Sequence, residues 1–389
     1  MTRVGVRKKN KNNMKKSLKL TICCLGVAVA SLCVGLLLQS DDCSLCNKKP
    51  KYVFYFIGDG MSFNHILGTE HYNTEKAGAS ETLRLNFTQF DTRNFVTNYS
   101  TSNLVTDSAA AGTALASGVK TANAHIGVDV DGNELRTIAD VASELGYKVG
   151  LVTNVGINHA TPSCFYGHTS DRFGFPSLVD DYIASDVAFI AGSTIMDMKS
   201  GPQDPKYKPV TTAELAERIR TAGITITLDV EEAAKTEGER VILVAHDKVN
   251  EHIPHVIDRA SDEKHTMFNY AKAAIEYLTR ESKEGFFLMI EGAHIDKHSH
   301  SNEDANMTEA LQEFDETIEY VLNYAKADGE TLVVITADHE TGAIVANSDG
   351  TYSFTSGSHS DANVPVLVYG SEVLIQNGEV LNNYEIPIR

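Results

Sequence analysis

Three short segments hold the residue types that bind divalent metals: Asp59 in YFIGDGM, Glu291, Asp296 and His300 in EGAHIDKHSH, and Asp338 with His339 in ITADHET. Carboxylate and imidazole donors together suit Zn²⁺, and an all-oxygen set suits Mg²⁺. Asp296 and His300 are four residues apart and share one face of a helix, the spacing of two ligands on one tetrahedral Zn²⁺. Glu291 follows the apolar run FFLMI directly and can reach a neighbouring, harder ion such as Mg²⁺. Asp338 and His339 are adjacent and can hold one Zn²⁺ from an irregular turn. His359, in GSHSDANVPVLVYG, is a further candidate ligand. A serine set among such ions would make the centre one of phosphoryl transfer.

Ser108, in VTDSAAAGTALASGVKT, is the candidate nucleophile. It opens a helix of small residues, where the macrodipole favours an alkoxide and any nearby anion. The plainer reading makes Ser108 or Asp107 an N-cap. The Ala and Gly of the next turn are read as room for a substrate to approach. In VTNVGINHATPSCFYGHTSDR, Thr161 offers a hydroxyl to Mg²⁺, and Arg172 can fork two N–H donors onto phosphate oxygens. Each segment alone has a bland alternative. IGDG is a turn with a solvated Asp, EGAHIDKHSH is a polar helix start facing water, and Arg172 is a surface arginine. His294 and His298 are left outside the site.

The elements that must position these residues alternate along the chain. Apolar, β-rich runs at Tyr52–Ile57, Val149–Thr153, Val241–Ala245, Phe286–Ile290 and Leu332–Thr336 predict buried strands, with Val364–Tyr369 as a late strand. Helical patterns fall at Ser108–Ser117, Leu135–Leu145, Thr211–Thr221, Glu263–Arg280 and Glu303–Ala327. The expected fold class is α/β, a largely parallel central sheet with helices on both faces, a three-layer sandwich. Such a sheet presents its chemistry beyond the carboxyl ends of its strands, where the three segments fall. Residues 197–210 carry three Pro and a Gly and predict a loop.

With 389 residues, 42% hydrophobic and 22% charged, the chain can bury a large core. Residues 1–38 are expected to be an export signal or signal anchor, because eight Lys/Arg in the first nineteen residues precede the uncharged run Leu20–Leu38. Met14 opens a cleaner version of the same pattern. Residues 39–51 read as a polar tether and 52–389 as a single catalytic domain, exported to the periplasm, cell surface or medium. Without those eight positive charges the formal net charge moves from −18 to −26, a surface that repels nucleic acid and anionic membranes. Cys43 and Cys46 form a pair in the tether, and Cys164 alone belongs to the main body, which excludes a disulfide within it.

Taken together, IGDGM, TDSAAAGTALASG, NHATPSCFYGHTSDR, EGAHIDKHSH, TADHET and the late GSH resemble the alkaline phosphatases in order and approximate spacing. Six ordered motifs are far more specific than one. The resemblance implies hydrolysis of small phosphate monoesters through a phosphoserine on Ser108, with an alkaline optimum. It implies two Zn ions and one Mg ion. Asp296, His300 and His359 would hold the first zinc, Asp338, His339 and Asp59 the second, and Asp59, Thr161 and Glu291 the magnesium. Asp107 would orient Arg172 on phosphate. His159 stands where many bacterial members carry Asp, and Lys297 where vertebrate members carry His; Lys297 would reach phosphate through water. Members of the family are commonly homodimers. The competing expectations are a phosphodiesterase or related metallohydrolase of the same fold, and a secreted metal- or phosphate-binding protein without turnover.

Overall fold

Tyr52–Ile57 (β1) carries no charge, is buried along nearly its whole length and pairs in parallel on both edges, so it forms the middle of the sheet. The computed structural model describes residues 49–90, 92–198, 208–238, 240–249, 251–349, 351–370 and 375–389. The expected export segment, Cys43, Cys46 and most of the tether lie outside the described residues, as does the middle of the Pro-rich loop. Lys49–Arg389 forms one compact unit.

After β1 come α1 (Phe63–Ala77), β2 (Thr92–Thr97), α2 (Ser108–Ser117), α3 (Ile138–Glu144), β3 (Lys148–Val152), α4 (Ala160–Ser163), α5 (Phe175–Ala184) and β4 (Val187–Gly192). Then follow α6 (Thr212–Thr221), β5 (Thr225–Thr227), α7 (Val230–Lys235), β6 (Val241–Val244), α8 (Met267–Glu281), β7 (Phe286–Glu291), α9 (His294–His300), α10 (Asp304–Asp328) and β8 (Thr331–Thr336). The chain ends through the two-residue strands β9 (Glu340–Thr341), β10 (Val345–Ala346), β11 (Tyr352–Ser353) and β12 (His359–Ser360), then β13 (Val364–Tyr369) and β14 (Val380–Asn382).

Ten strands make the main sheet in the order β14-β2-β13-β8-β1-β7-β3-β4-β6-β5. Strand β13 runs antiparallel to β2 and β8, and the other pairings are parallel. Alternate β1 side chains face opposite layers. On one side Phe54 packs on Tyr324 and Phe56 on Phe314, both from α10. On the other, Tyr55 packs on Phe165 and donates its hydroxyl to the Leu115 carbonyl of α2. Helices therefore cover both faces, as the strand–helix alternation implied.

Helix starts follow side-chain caps. Thr137 with Asp140 and Thr211 with Glu214 form capping boxes, and the Thr266 hydroxyl accepts from the Asn269 N–H. These caps start α3 and α8 later than apolar periodicity alone suggested. Strands β2, β4, β5 and β14 and helices α1, α5 and α7 were not read from the sequence. Strand β2 (TRNFVT) mixes polar and apolar residues because it lies near the sheet edge. Strand β4 (VAFIAG) is buried throughout and pairs with β3 and β6 in a stretch that carries no chemical motif.

Candidate active site

Strand register brings the acidic segments together. Ile57 of β1 lies opposite Glu291 of β7 on one side and Thr336 of β8 on the other. Asp59 and Asp338 therefore each sit two residues past the same level on adjacent strands. The Gly60 N–H donates to Asp338 Oδ1 at 3.1 Å. On the far side of β7, Thr153 just beyond β3 donates its hydroxyl to Glu291 Oε2 at 2.5 Å. Because β13 runs antiparallel, its amino end reaches the same edge, and His359 lies just before it.

Gly60 is required where it stands. Its φ is +74°, and a Cβ there would come within 2.9 Å of Asp296 Cα and of Thr341 Oγ1. The chain can thus turn past β1 while α9 presses against it, and α9 carries Asp296 and His300. His300 Nε2 lies 3.3 Å from Asp296 Oδ1, and His359 Nε2 lies 3.7 Å from the same oxygen and 3.2 Å from His300 Nε2. The other ring nitrogens pair outward, His300 Nδ1 with the Gly357 carbonyl at 2.7 Å and His359 Nδ1 with the Thr106 carbonyl at 2.9 Å. Carbonyl partners require Nδ1 to carry a proton, which turns Nε2 of both rings toward Asp296 as the nitrogens able to ligate a cation.

A second group forms around His339. Its Nε2 lies 3.2 Å from Asp338 Oδ2, 3.4 Å from Asp59 Oδ1 and 3.1 Å from Ser108 Oγ. Asp59, Asp338 and His339 are fully buried. Asp107 is the N-cap of α2: its Oδ1 accepts from the Ala110 N–H at 3.0 Å, and its Oδ2 accepts from the Ala124 N–H and from Arg172 Nη1, each at 3.0 Å. Ser108 is the first helical residue, so capping does not consume its hydroxyl. The small residues of α2 have a packing cause instead of the expected substrate approach. Residues 108–116 are all buried, and a Cβ on Gly112 would lie 2.9 Å from Cys164 Sγ.

Thr161 sits on the four-residue α4, fully buried, and its hydroxyl has no hydrogen-bond partner. Both oxygens of Asp59, Oε1 of Glu291 and Oδ2 of Asp338 are likewise buried and unpartnered. Such orphaned acceptors are costly unless something else supplies positive charge. Burial, then Asp338, Asp296 and Glu291, pushes the Asp59 carboxyl well above the usual carboxylate range. Burial, and next Asp296, pushes Asp338 up to about 8. Burial also raises Glu291, against the pull of the Thr153 hydroxyl that donates to it. The His339 imidazole is held well below its ordinary value by burial and then by His359 and Arg172, so the ring is neutral at pH 7 and has a nitrogen lone pair to offer a cation. Crowded carboxylates that hold protons this tightly, beside neutral imidazoles, fit a site built for cations.

Donor atoms of Asp296, His300 and His359 lie within 4.8 Å of one another, as do those of Asp59, Asp296 and His339. Among the expected residues, Lys297 and His159 stand at one side of this cluster. Lys297 Nζ pairs with Glu251 Oε1 at 3.0 Å, and His159 Nε2 is 3.8 Å from the same oxygen. Burial would lower Lys297, but Glu251, Asp296 and Asp59 outweigh it and hold it above the ordinary lysine value. Glu251 was missed in the sequence, as was Thr341, whose hydroxyl donates to Asp296 Oδ1 at 2.5 Å. Thr341 closes the ADHET segment and could have been found there; Glu251 lies in the long connection after β6, away from the strand's end, and carries no local signal.

Fold and site define an α/β protein that gathers carboxylate and imidazole donors able to hold metal ions at the carboxyl edge of its sheet. The chain belongs to the alkaline phosphatase family, whose sequence model matches residues 50–383. It is 32% identical to alkaline phosphatase 3 of Bacillus subtilis over 79% of this chain and 64% of that protein, so it spans just under two thirds of that relative. It is 27% identical to the alkaline phosphatase of Escherichia coli K12, over 84% of this chain and 78% of that protein. Among solved structures, the alkaline phosphatase of the Antarctic bacterium TAB5 superposes with a TM-score of 0.72 at 28% identity, over 88% of this chain and 96% of that one. The Thermus thermophilus enzyme shares the fold, at a TM-score of 0.75 and 19% identity over 88% and 91%.

Proposed function

We propose that the chain hydrolyses phosphate monoesters to an alcohol and inorganic phosphate, with Ser108 as the nucleophile. The observation that carries this reading is the Ser108 hydroxyl at 3.1 Å from His339 Nε2, beside buried carboxylate oxygens of Asp59, Asp338 and Glu291 that have no hydrogen-bond donor. Asp296, His300 and His359 would hold one Zn²⁺, Asp59, Asp338 and His339 a second, and Asp59, Thr161 and Glu291 a Mg²⁺. Bound there, these ions would supply Lewis-acid charge to the phosphate and lower the pKa of oxygen nucleophiles. A histidine-to-glutamate variant of the TAB5 enzyme has Mg bound in its M3 site, which supports a magnesium site within this fold.

Ser108 Oγ attacks phosphorus, the O–P bond to it forms, and the bond to the alcohol oxygen breaks. The proton lost by Ser108 leaves on the alcohol; water then attacks the phosphoserine, the Oγ–P bond breaks, and Oγ takes a proton from that water as phosphate leaves. Arg172, steered by the carboxylate of Asp107, offers donors to the phosphate oxygens. The N-terminus of α2 adds backbone N–H groups and dipole to the same place. Lys297 stays charged beside Glu251 and opposes the excess negative charge of the centre. Export through residues 1–38 and assembly as a homodimer belong to the same proposal. Among the described residues no helix is long and apolar enough to cross a membrane. Location in the producing cell and mass in solution test those two points.

Replacing Ser108 by Ala tests the nucleophile. Turnover of p-nitrophenyl phosphate is expected to fall by about a thousandfold or more while bound metal is unchanged. A fully active Ser108→Ala protein would remove Ser108 from the reaction.

A further inference from the structure

Helix α9 carries two sets of histidines. His300 belongs to the carboxylate centre, whereas His294 and His298, one turn apart, project from another part of the helix toward the segment that follows β6. There they meet His255. Ring centroids lie 4.8 Å apart for His255 and His294, 4.7 Å for His255 and His298, and 5.9 Å for His294 and His298. One nitrogen from each ring lies within 4.8 Å of one from each of the others. His294 is fully buried, and neither of its ring nitrogens has a hydrogen-bond partner; Nδ1 of His255 has none either. A buried imidazole that satisfies neither nitrogen is an exception that needs a cause.

His298 shows the complementary feature. Its Nδ1 pairs with the Glu303 carboxylate at 2.9 Å, which fixes the tautomer and turns Nε2 to the cluster. A carboxylate behind a histidine in this way is the usual support of a ligating imidazole. The segment that presents His255 is also anchored. Arg259 bonds the Pro254 carbonyl at 2.8 Å and forks onto both oxygens of Glu313 on α10, at 2.6 and 3.0 Å.

We propose that His255, His294 and His298 form a separate transition-metal site, apart from the centre that holds Ser108. Its donors are three imidazole nitrogens with no carboxylate among them, a set for Zn²⁺, Cu²⁺ or Ni²⁺ and against Mg²⁺ or Ca²⁺. Zn–N bonds of about 2.0–2.1 Å require the three nitrogens to close to about 3.4 Å. The half-buried ring of His255, on an irregular segment, is the one free to move. A metal here would tie the segment carrying Glu251 and His255 to the helix carrying Asp296 and His300. It would thus brace one side of the catalytic centre.

Zinc is the probe. The full chain is stripped with chelator, reloaded with excess Zn²⁺, desalted and analysed for metal, beside His255→Ala and His298→Ala. The wild type is expected to hold one equivalent more than either variant. Recovery of p-nitrophenyl phosphate turnover on reloading shows that the variants fold and that the missing equivalent is not from the carboxylate centre. If His255→Ala does not fold, His255→Gln takes its place in the same comparison. Equal zinc contents in wild type and variants would overturn the proposal. Loss of several equivalents together with all turnover would also overturn it, because the shortfall would then belong to the other centre.

Discussion

Asp338 sets the pH behaviour expected of the metal-free cluster and of a metal-loaded one. Burial, and next Asp296, push its carboxyl up to about 8, and Asp59 and Glu291 are raised in the same direction. A carboxyl whose folded pKa exceeds its unfolded value stabilises the fold at low pH and loses that contribution as pH rises through the folded value. Above the range in which the buried neutral histidines, His339 and His294 among them, would take up protons on unfolding, the metal-free protein should therefore melt at lower temperature as pH rises from about 7 to 8, and added Zn²⁺ should restore more stability at each step. Calorimetry at a series of pH values with and without Zn²⁺ checks this; a metal-free protein most stable at pH 8 would contradict it. Arg172 supplies a second test at the same scale. Losing charge-assisted hydrogen bonds of about 1.5–3 kcal/mol, Arg172→Ala should raise KM and weaken inhibition by phosphate by roughly ten- to a hundredfold. Asp59, Asp338 and Glu291 were legible in the sequence because each follows an apolar run that ends at one edge of the sheet. Glu251 was not, because its partners Lys297 and His159 come from remote segments. His294 and His298 were set aside as a polar helix start facing water, yet both are buried.

At the level of elements, the turn after β1 and the buried ion pair on α10 carry different loads. A methyl group on Gly60 would strain a left-handed backbone and push on Asp296. Gly60→Ala should cost about a hundredfold in turnover and weaken zinc binding, as a displaced catalytic group does, while the sheet survives. Metal titration with activity assays separates this from general unfolding. Glu313 holds Arg259, with only 5% and 10% of the two side chains exposed, and accepts from the Met267 N–H at the start of α8. Glu313→Ala strands a buried guanidinium and should cost about 3–5 kcal/mol in urea unfolding. The central strands and long helices were readable because parallel strands buried on both faces are continuous apolar runs. Strand β2 and helix α7 were not, because a strand of mixed polar and apolar residues and a short helix carry weak periodicity, and the caps at Thr137 and Thr266 moved helix starts inward.

Over the whole molecule, an acidic protein of formal net charge −18 is expected to take an anionic substrate, so local positive charge must outweigh the distant field. Arg172, Lys297, the α2 N-terminus and bound cations are the groups available. The short strand β12, paired with β9 ahead of the antiparallel β13, completes the centre by delivering His359 from the far end of the chain. That placement depends on sheet order, which no local pattern encodes; the ordered motifs suggested it only through resemblance to a family. The central claim is that divalent ions held by these carboxylates and imidazoles make Ser108 a phosphate-ester nucleophile. Metal analysis of the purified chain, with p-nitrophenyl phosphate turnover before and after chelation, tests it most directly. Turnover should vanish with the metal and return on adding Zn²⁺ and Mg²⁺; turnover indifferent to chelation, in a protein shown to be free of metal, would contradict it.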